Sequence, residues 1–175
     1  STPAYGMTPP MGDYDPPRGV SFDPEEARKI LAEAGFPGGG DFPRLKILIA
    51  SRETNAALAT AIQAMWREHL GVDLEIENKE WTAYMVAMQE VDYDIIGGGW
   101  IGDYIDPLTF LEMWTPGNGN NRTGWESEPF AAKLRESFQV TDPAVRRSLL
   151  RVAEEILLAD TPMTPISWWG TNYPH

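Results

Sequence analysis

Asp103 lies within a glycine-rich and aromatic stretch that begins at Gly97 and directly follows an apolar run. Open α/β sheets bind their ligands where a strand ends and a helix begins, and this stretch occupies such a position in the sequence. A carboxylate there can receive a cationic group closely, because charge-assisted hydrogen bonds favour a partly desolvated ammonium partner. The sequence therefore predicts that Asp103 binds a ligand and that the backbone at Gly99 lets the ligand approach.

Two aromatic residues and a second carboxylate leave alternatives open in this stretch. Trp100 either stacks on a ligand or fills the core below the loop, since large aromatic side chains are usually buried. The same two alternatives apply to Tyr104, which is expected to be more exposed than Trp100. Asp103 would have no ligand role if it capped the helix that begins near Pro107, or if Asp106 did so and left Asp103 in solvent. The candidate ligand-binding residues are Asp103, Trp100, Tyr104 and Gly99.

Catalysis is the competing class of function, and the residues for it are poorly placed. The 2 histidines, His69 and His175, each lack the convergent partners of a metal site or a serine–histidine pair. Asp103 and Asp106 could form the carboxylate pair of a glycoside hydrolase, with tryptophans to stack on sugars. Their close spacing across a proline-bounded turn is, however, a common capping pattern. We therefore expect no catalytic residues, no metal and no cofactor.

Composition excludes several classes of protein. With 14 basic and 26 acidic residues the formal net charge is -12, which disfavours nucleic acid and anionic membranes as partners because both require a positive potential. Cysteine is absent, so disulfides, thiolate metal sites and cysteine nucleophiles are excluded together. No run approaches the roughly 18 apolar residues of a membrane helix, and the start of the chain has no apolar signal core. A content of 42% apolar residues is enough for a folded core in a chain of 175 residues.

The order of the predicted elements indicates an α/β fold with a mainly parallel sheet and flanking helices. Residues 1–22 are rich in proline and glycine and are expected to form an extended arm or linker. Asp23-Pro24-Glu25-Glu26 combines an N-cap, a proline and a capping-box glutamate, which predicts the start of a helix. The further segments are predicted strands at 45–50, 72–77, 93–96 and 163–169, and predicted helices at 54–70, 81–88, 128–138 and 144–159, with a helical pattern also from 107.

Periodicity also predicts which side chains are buried. Asn120 and Asn121 lie among turn formers, where amide side chains usually bond their own backbone, so we expect a role in loop structure. Trp168 and Trp169 are adjacent on a predicted strand, so one should point inward and the other toward a ligand or a further lobe. Two sets of apolar residues at helical spacing are expected to face the core. The first is Trp81, Met85 and Met88, which could instead line a pocket. The second is Val145, Leu149, Val152 and Ile156.

Many short motifs follow one another along the chain. In order they are Asp23-Pro24-Glu25, Leu31-Ala32-Glu33-Ala34-Gly35-Phe36, Ala61-Ile62-Gln63, Met65-Trp66, Leu70-Gly71-Val72, Glu80-Trp81, Tyr93-Asp94-Ile95, Gly99-Trp100, Gly102-Asp103-Tyr104, Asp106-Pro107, Phe110-Leu111, Asn120-Asn121, Ala153-Glu154-Glu155-Ile156-Leu157, Pro162 and Pro165-Ile166. This order resembles the oligopeptide- and dipeptide-binding family of extracytoplasmic solute-binding proteins of ABC importers. The resemblance covers about residues 14–170, and the order is far more specific than any single motif.

The resemblance implies a type II periplasmic-binding-protein fold, in which two lobes close on a ligand. Residues 23–175 would form part of the second, C-terminal lobe, with the first lobe and any secretion signal outside this chain. The implied function is the capture of peptides by lobe closure for import through a membrane permease. The implied setting is a monomer that is periplasmic or otherwise extracytoplasmic, with a lipid anchor in the full-length protein as one option. Asp103 matches the aspartate that pairs with the α-ammonium group of the ligand in peptide-binding members.

Two considerations leave the ligand open. Members of this family also bind oligosaccharides, opines, nickel chelates or haem, so another solute is an alternative to a peptide. The sequence has Phe130-Ala131 where the family commonly has a Tyr-Asp pair, so no role for that aspartate is expected. An interaction module without a small ligand is a further alternative, which would fold and bind no solute.

Overall fold

The computed structural model describes residues 2–19 and 21–168, which form two compact units. The first, which we call the sheet unit, is Phe22–Gly99. The second, the helical unit, comprises the described residues of Ser1–Ser21 and Trp100–His175. Each unit is built around apolar clusters of its own.

The helices and strands alternate through the sheet unit, whereas helices dominate the helical unit. None of the helices in the described part of the chain is long and apolar enough to span a bilayer. In chain order the elements are β1 (Thr2–Pro3), α1 (Pro24–Glu33), β2 (Leu45–Ala50), α2 (Glu53–Leu70), β3 (Leu74–Lys79), α3 (Trp81–Glu90), β4 (Ile95–Ile96), α4 (Leu108–Leu111), α5 (Glu128–Ser137), α6 (Pro143–Asp160) and β5 (Ser167–Trp168), with short 3-10 turns at Pro37–Gly39 and Glu112–Trp114.

The sheet unit contains a parallel three-stranded sheet in the order β3-β2-β4. The central strand β2 is buried on both faces, as its continuous apolar run predicts. Ile47 and Ile49 pack against α2, whereas Leu48 and Ala50, which point the opposite way, pack against α3. The predicted parallel α/β arrangement is therefore confirmed for this unit.

The ends of the first two helices follow the predicted signals. The Asp23 carboxylate caps α1 by accepting a hydrogen bond from the Glu26 N–H at 3.0 Å. Helix α2 ends at Gly71, whose φ of 70° lies in the left-handed region that favours glycine. A Cβ atom at Gly71 would also lie 2.3 Å from the Gly38 carbonyl oxygen. Backbone conformation and close packing therefore both select glycine here.

The start of β3 differs from the prediction at Val72. The Val72 N–H donates to the Trp66 carbonyl at 3.3 Å, so this residue completes the hydrogen bonding at the end of α2. The strand therefore begins at Leu74. The alternation of apolar and polar residues does not show that Val72 bonds to the end of the helix and is therefore not part of the strand.

We expect Gly71→Ala to lower the free energy of unfolding by about 2–4 kcal/mol, because it combines left-handed strain with the clash at Gly38. Gly35→Ala is the matched control, since the φ of Gly35 is 96° and no atom lies within 4 Å of a Cβ built there. The control should cost only about 1–2 kcal/mol. Urea denaturation measures both values, and equal losses would contradict a steric contribution from Gly38.

The helical unit is centred on α5 and α6, which pack against each other. Asp142 caps α6 by accepting hydrogen bonds from the N–H groups of Ala144 and Val145. Trp168 is half-buried in β5, and Trp169 lies outside the described residues. The core cluster consists of Tyr14, Leu108, Leu111, Met113, Trp114, Phe130, Leu134, Leu150, Ala153 and Leu157.

The buried face of α6 is offset from the predicted stripe: the predicted burial of Val145 is wrong, whereas Ile156 packs against the core cluster as predicted. Leu150, Ala153 and Leu157 are fully buried, whereas Val145 is 45% exposed. Glu154 is also fully buried on this helix. A buried carboxylate interrupts the apolar pattern of the face, so periodicity selects the neighbouring, half-buried stripe instead.

The proline-rich start of the chain is anchored within the helical unit. Strand β1 pairs antiparallel with β5, and Ala4 and Tyr14 are buried. Glu154 accepts hydrogen bonds from the Thr8 N–H at 2.9 Å and from the Tyr14 hydroxyl at 2.6 Å. The segment is largely irregular, and it is held by polar contacts that no apolar periodicity reveals.

Candidate ligand-binding site

The carboxyl ends of the three parallel strands share one edge of the sheet unit. Arg52, Trp81 and Gly97 follow the ends of β2, β3 and β4 respectively. The Tyr84 hydroxyl donates to the Gly97 carbonyl at 3.0 Å, which ties α3 to the glycine run. Open α/β sheets bind ligands at such an edge, so these residues are binding candidates within the sheet unit.

Trp81 is exposed at this edge, so its prediction as a core residue is wrong. Its side chain is 52% exposed, and its ring stacks on Tyr84 with centroids 5.7 Å apart at 22°. The Arg52 guanidinium carbon lies 5.5 Å from the centroid of the Trp81 ring. Trp81 is the first residue of α3 and lies beyond the part that covers the sheet, whereas Met85 and Met88 pack against the core as predicted. Sequence reasoning missed this exposed aromatic surface with its associated cation.

The glycine run leaves part of its backbone open. Gly99 is exposed, and no atom lies within 4 Å of a Cβ built on it. At Gly97 a Cβ would instead lie 3.2 Å from Cγ2 of Ile49. The backbone at Gly99 is therefore accessible, whereas the glycine at position 97 allows close packing on β2.

The other three predicted site residues lie in the helical unit, and Trp100 is the first of them. Its indole Nε1 donates to the Thr109 carbonyl at 2.8 Å. The half-buried ring also packs against the core cluster of this unit. The structure thus gives Trp100 the packing role that the sequence left as one of two alternatives, with part of the ring still accessible.

Asp103 lies exposed on the loop before α4. Its backbone N–H donates to the Thr109 hydroxyl at 2.9 Å. Within the described residues its carboxylate makes no hydrogen bond and no ion pair. Asp103 therefore does not cap α4, and its carboxylate is available to a cation.

Asp106 performs the capping instead. It accepts a hydrogen bond from the Leu108 N–H at 2.9 Å and binds both terminal nitrogens of Arg146 at 2.6 and 3.0 Å. Burial acts to raise the pKa of Asp106, but the bonds from Arg146 and Leu108 and the guanidinium charge lower it overall. A glycosidase acid needs a raised pKa, so Asp106 does not suit that role.

Tyr104 is 43% exposed, and its hydroxyl donates to Oε1 of Glu112 at 2.6 Å. Desolvation raises the pKa of this hydroxyl, and the hydrogen bond to Glu112 and the nearby negative charges raise it further. The hydroxyl therefore stays protonated at neutral pH and is engaged within the protein. The accessible part of Tyr104 is consistent with the predicted exposure.

Two isoleucines flank the Asp103–Tyr104 pair and were not singled out from the sequence. Ile101 is 88% exposed and Ile105 is 96% exposed. Each lies two residues from Asp103 in the sequence. They give the surface around the carboxylate an apolar character.

The asparagine loop has the predicted structural role. The Asn121 amide donates to the carbonyls of Trp125 at 2.7 Å and Trp114 at 3.4 Å, and its oxygen accepts from Thr123. Phe130 is fully buried and meets the Trp125 ring edge-on at 5.1 Å. A phenylalanine here, where the family commonly has tyrosine, therefore belongs to the core.

His69 packs edge-on against Phe22 at 5.5 Å, and His175 lies outside the described residues. No group of three or more histidine, aspartate or glutamate side chains within the described part of the chain could hold a metal ion. The His69 carbonyl accepts from Arg28 at 3.1 Å, but its imidazole makes no hydrogen bond within the described residues.

Comparison with known proteins identifies the family of the chain. Residues 1–122 match the model for the middle region of bacterial extracellular solute-binding proteins, family 5. The oligopeptide-binding protein OppA of Bacillus subtilis is 38% identical over 150 residues, which are 85% of this chain and 28% of that protein. The periplasmic oligopeptide-binding protein OppA of Escherichia coli is 30% identical over 175 aligned residues, which are 95% and 32% of the two chains. The chain thus spans less than a third of the length of these curated relatives.

Solved structures show the same fold. An oligopeptide-binding protein of an ABC transporter from Borrelia burgdorferi matches with a TM-score of 0.86 and 34% identity over 92% of this chain and 33% of that chain. The murein tripeptide-binding protein MppA of Escherichia coli matches with a TM-score of 0.86 and 28% identity over 94% and 33%. These likenesses confirm the predicted type II periplasmic-binding-protein fold. The chain belongs to family 5 of the bacterial extracellular solute-binding proteins, a family of binding proteins and not of enzymes.

Proposed function

We propose that this chain is part of the second lobe of a two-lobed protein that captures peptides for an ABC importer. Family membership supports the class of function, and the named oligopeptide-binding relatives support a peptide as the ligand. The observation that carries the proposal is the exposed Asp103 carboxylate, which makes no bond within the described residues and stands on a hydrogen-bonded loop. Such a carboxylate can accept charge-assisted hydrogen bonds from the α-ammonium group of a peptide.

The surface around Asp103 suits ligands that share a backbone and differ in side chains. The carboxylate would recognise the ammonium group common to all peptides with a free amino terminus. Ile101 and Ile105 would make apolar contacts that do not depend on one side-chain shape. This combination favours a peptide over a neutral sugar, whose hydroxyl groups match neither the charge nor the aliphatic side chains.

The proposed mechanism is closure of two lobes on the ligand. A peptide that contacts both lobes stabilises the closed state, which the membrane permease then recognises. No bond of the ligand is made or broken. The protein would act as a monomer outside the cytoplasm, in the periplasm or attached by a lipid, and its partners would be the peptide and the permease.

The isolated chain should bind peptide too weakly to measure, because half of a cleft leaves the other face of the ligand in water. Isothermal titration calorimetry of the 175-residue chain with mixed di- to pentapeptides should show no binding heat. The two-lobed protein should bind the same mixture with a dissociation constant of about 1 μM or tighter, which corresponds to roughly -8 kcal/mol. A micromolar constant for the chain alone would contradict the half-site proposal.

Mass spectrometry of the solute released when the two-lobed protein is denatured tests the ligand class directly. Co-purifying peptides are expected. An oligosaccharide, an opine, a nickel chelate or haem in their place would overturn the peptide proposal and leave the family assignment intact.

A further inference from the structure

Thr109 makes two hydrogen bonds to the loop that carries Asp103. Its hydroxyl accepts from the Asp103 N–H at 2.9 Å, and its carbonyl accepts from Nε1 of Trp100 at 2.8 Å. Thr109 is itself 0% exposed. One buried residue therefore holds both ends of the Trp100–Asp103 segment.

Thr109 is also held by its own backbone. It is in α4, which is only 4 residues long and continues into a 3-10 turn. The Thr109 N–H donates to the Asp106 carbonyl at 3.2 Å, so Thr109 is also fixed from the other side of the loop. The Asp106–Arg146 ion pair in turn joins that side to α6.

Gly102 shows how closely the loop lies against α4. A Cβ atom at Gly102 would lie 3.0 Å from Cγ2 of Thr109 and 3.0 Å from Cζ of Phe110. The segment between the two hydrogen bonds therefore has little room to shift toward the helix. Because the Asp103 N–H is bonded, the Cα–Cβ bond that carries its carboxylate has a restricted direction.

We propose that Thr109 is a positioning residue that directs the Asp103 carboxylate toward the ligand. The proposal rests on the ligand-binding role proposed above for Asp103. It assigns Thr109 no contact with the ligand. The Thr109 hydroxyl acts through its hydrogen bond to the Asp103 backbone, and the Thr109 carbonyl acts through its hydrogen bond to the Trp100 ring.

Thr109→Val and Thr109→Ser separate the hydroxyl from the bulk of the side chain. Valine keeps the shape but leaves the Asp103 N–H without its acceptor, whereas serine keeps the acceptor and loses a methyl group. In the two-lobed protein we expect Thr109→Val to weaken binding of a peptide with a free amino terminus by about tenfold or more. Binding of the N-acetylated peptide should change by less than about threefold, and Thr109→Ser should restore most of the lost affinity.

Ser137→Ala is the control for a general loss of stability. Ser137 is 1% exposed, and its hydroxyl donates to the Leu134 carbonyl at 2.7 Å on α5, away from the loop. This variant also removes a buried hydroxyl, so it should lower the melting temperature without changing the ratio of the two peptide affinities. An equal change in that ratio for Ser137→Ala and Thr109→Val would overturn the positioning role.

Amide hydrogen exchange in the 175-residue chain tests the same inference without any ligand. The Asp103 N–H should exchange at least about tenfold faster in Thr109→Val than in the wild type or Thr109→Ser. Unchanged exchange would overturn the positioning role even if peptides bind.

If the wild-type two-lobed protein binds no peptide, the proposed function fails, and with it the purpose assigned to Thr109. Faster exchange together with an unchanged affinity ratio would likewise overturn the proposal.

Discussion

Asp103→Asn is expected to weaken binding of a peptide with a free amino terminus to the two-lobed protein by about 30-fold to several thousand-fold. This range corresponds to roughly 2–5 kcal/mol, the cost of removing one partner of a buried, hydrogen-bonded charge pair. Asparagine keeps the volume of the side chain and one acceptor but has no charge. Only a ligand with an ammonium group should therefore lose the interaction, and the N-acetylated peptide should bind almost as before.

The alternative roles of Asp103 give different results in the same calorimetric titration. If the Asp103 carboxylate stays in solvent, Asp103→Asn should reduce the binding free energy of either peptide by well under about 1 kcal/mol. A carboxylate that only maintains the loop would reduce both affinities equally. Asp15→Asn is a matched control, because Asp15 is an exposed carboxylate of the same unit and its loss changes the net charge equally. A comparable loss for Asp15→Asn would indicate a long-range charge effect and contradict a specific pair at Asp103.

Helix ends and the central strand could be predicted because their signals are local. Asp23 and Asp142 cap their helices through side-chain bonds to N–H groups a few residues ahead. Gly71 ends α2 through its own backbone conformation. Residues 47–50 of β2 are apolar and buried between α2 and α3, so this strand could be predicted without knowing its partners.

The roles of residues in the Asp103 loop depend on contacts that are distant in sequence. Sequence reasoning located the loop, but it could not choose between the two roles of Trp100 without knowing that the Trp100 indole donates to the Thr109 carbonyl. The capping role of Asp106 was an open alternative, yet its ion pair with Arg146 of α6 has no local signal. Trp81 was misplaced because helical spacing does not show where a helix passes beyond the edge of a sheet.

Glu154→Leu should have the largest effect on stability in the helical unit. The variant leaves the Thr8 N–H and the Tyr14 hydroxyl without their acceptor, and each buried unpaired donor costs about 1–3 kcal/mol. We therefore expect the free energy of unfolding to fall by about 2–5 kcal/mol in urea denaturation. The loss should be accompanied by faster amide exchange at Thr8. Unchanged exchange at Thr8 would contradict the anchoring of the N-terminal segment by Glu154.

Glu154→Gln should separate the hydrogen bonds of this residue from its charge. Burial raises the pKa of Glu154 above the ordinary value of 4.5, although the bonds from Thr8 and Tyr14 partly oppose the shift. Arg151, which is three residues before Glu154 on α6, pairs with Glu155 and donates to the Asp15 carbonyl. Glutamine can accept from Thr8 and donate to the Tyr14 oxygen, so the variant should unfold within about 1 kcal/mol of the wild type near pH 4.5.

The difference between Glu154→Gln and the wild type should then grow with pH. The folded wild type holds the Glu154 proton more tightly than the unfolded chain does. The resulting stability is complete below about pH 4.5 and is lost as the pH rises through the raised pKa of the folded state. Glutamine stays neutral, so urea denaturation from pH 4.5 to 8 should show the variant gaining stability relative to the wild type. Asp106, whose pKa is lowered, has the opposite slope but contributes equally to both proteins and cancels in the difference. A difference that is constant over this range would contradict a raised pKa for Glu154.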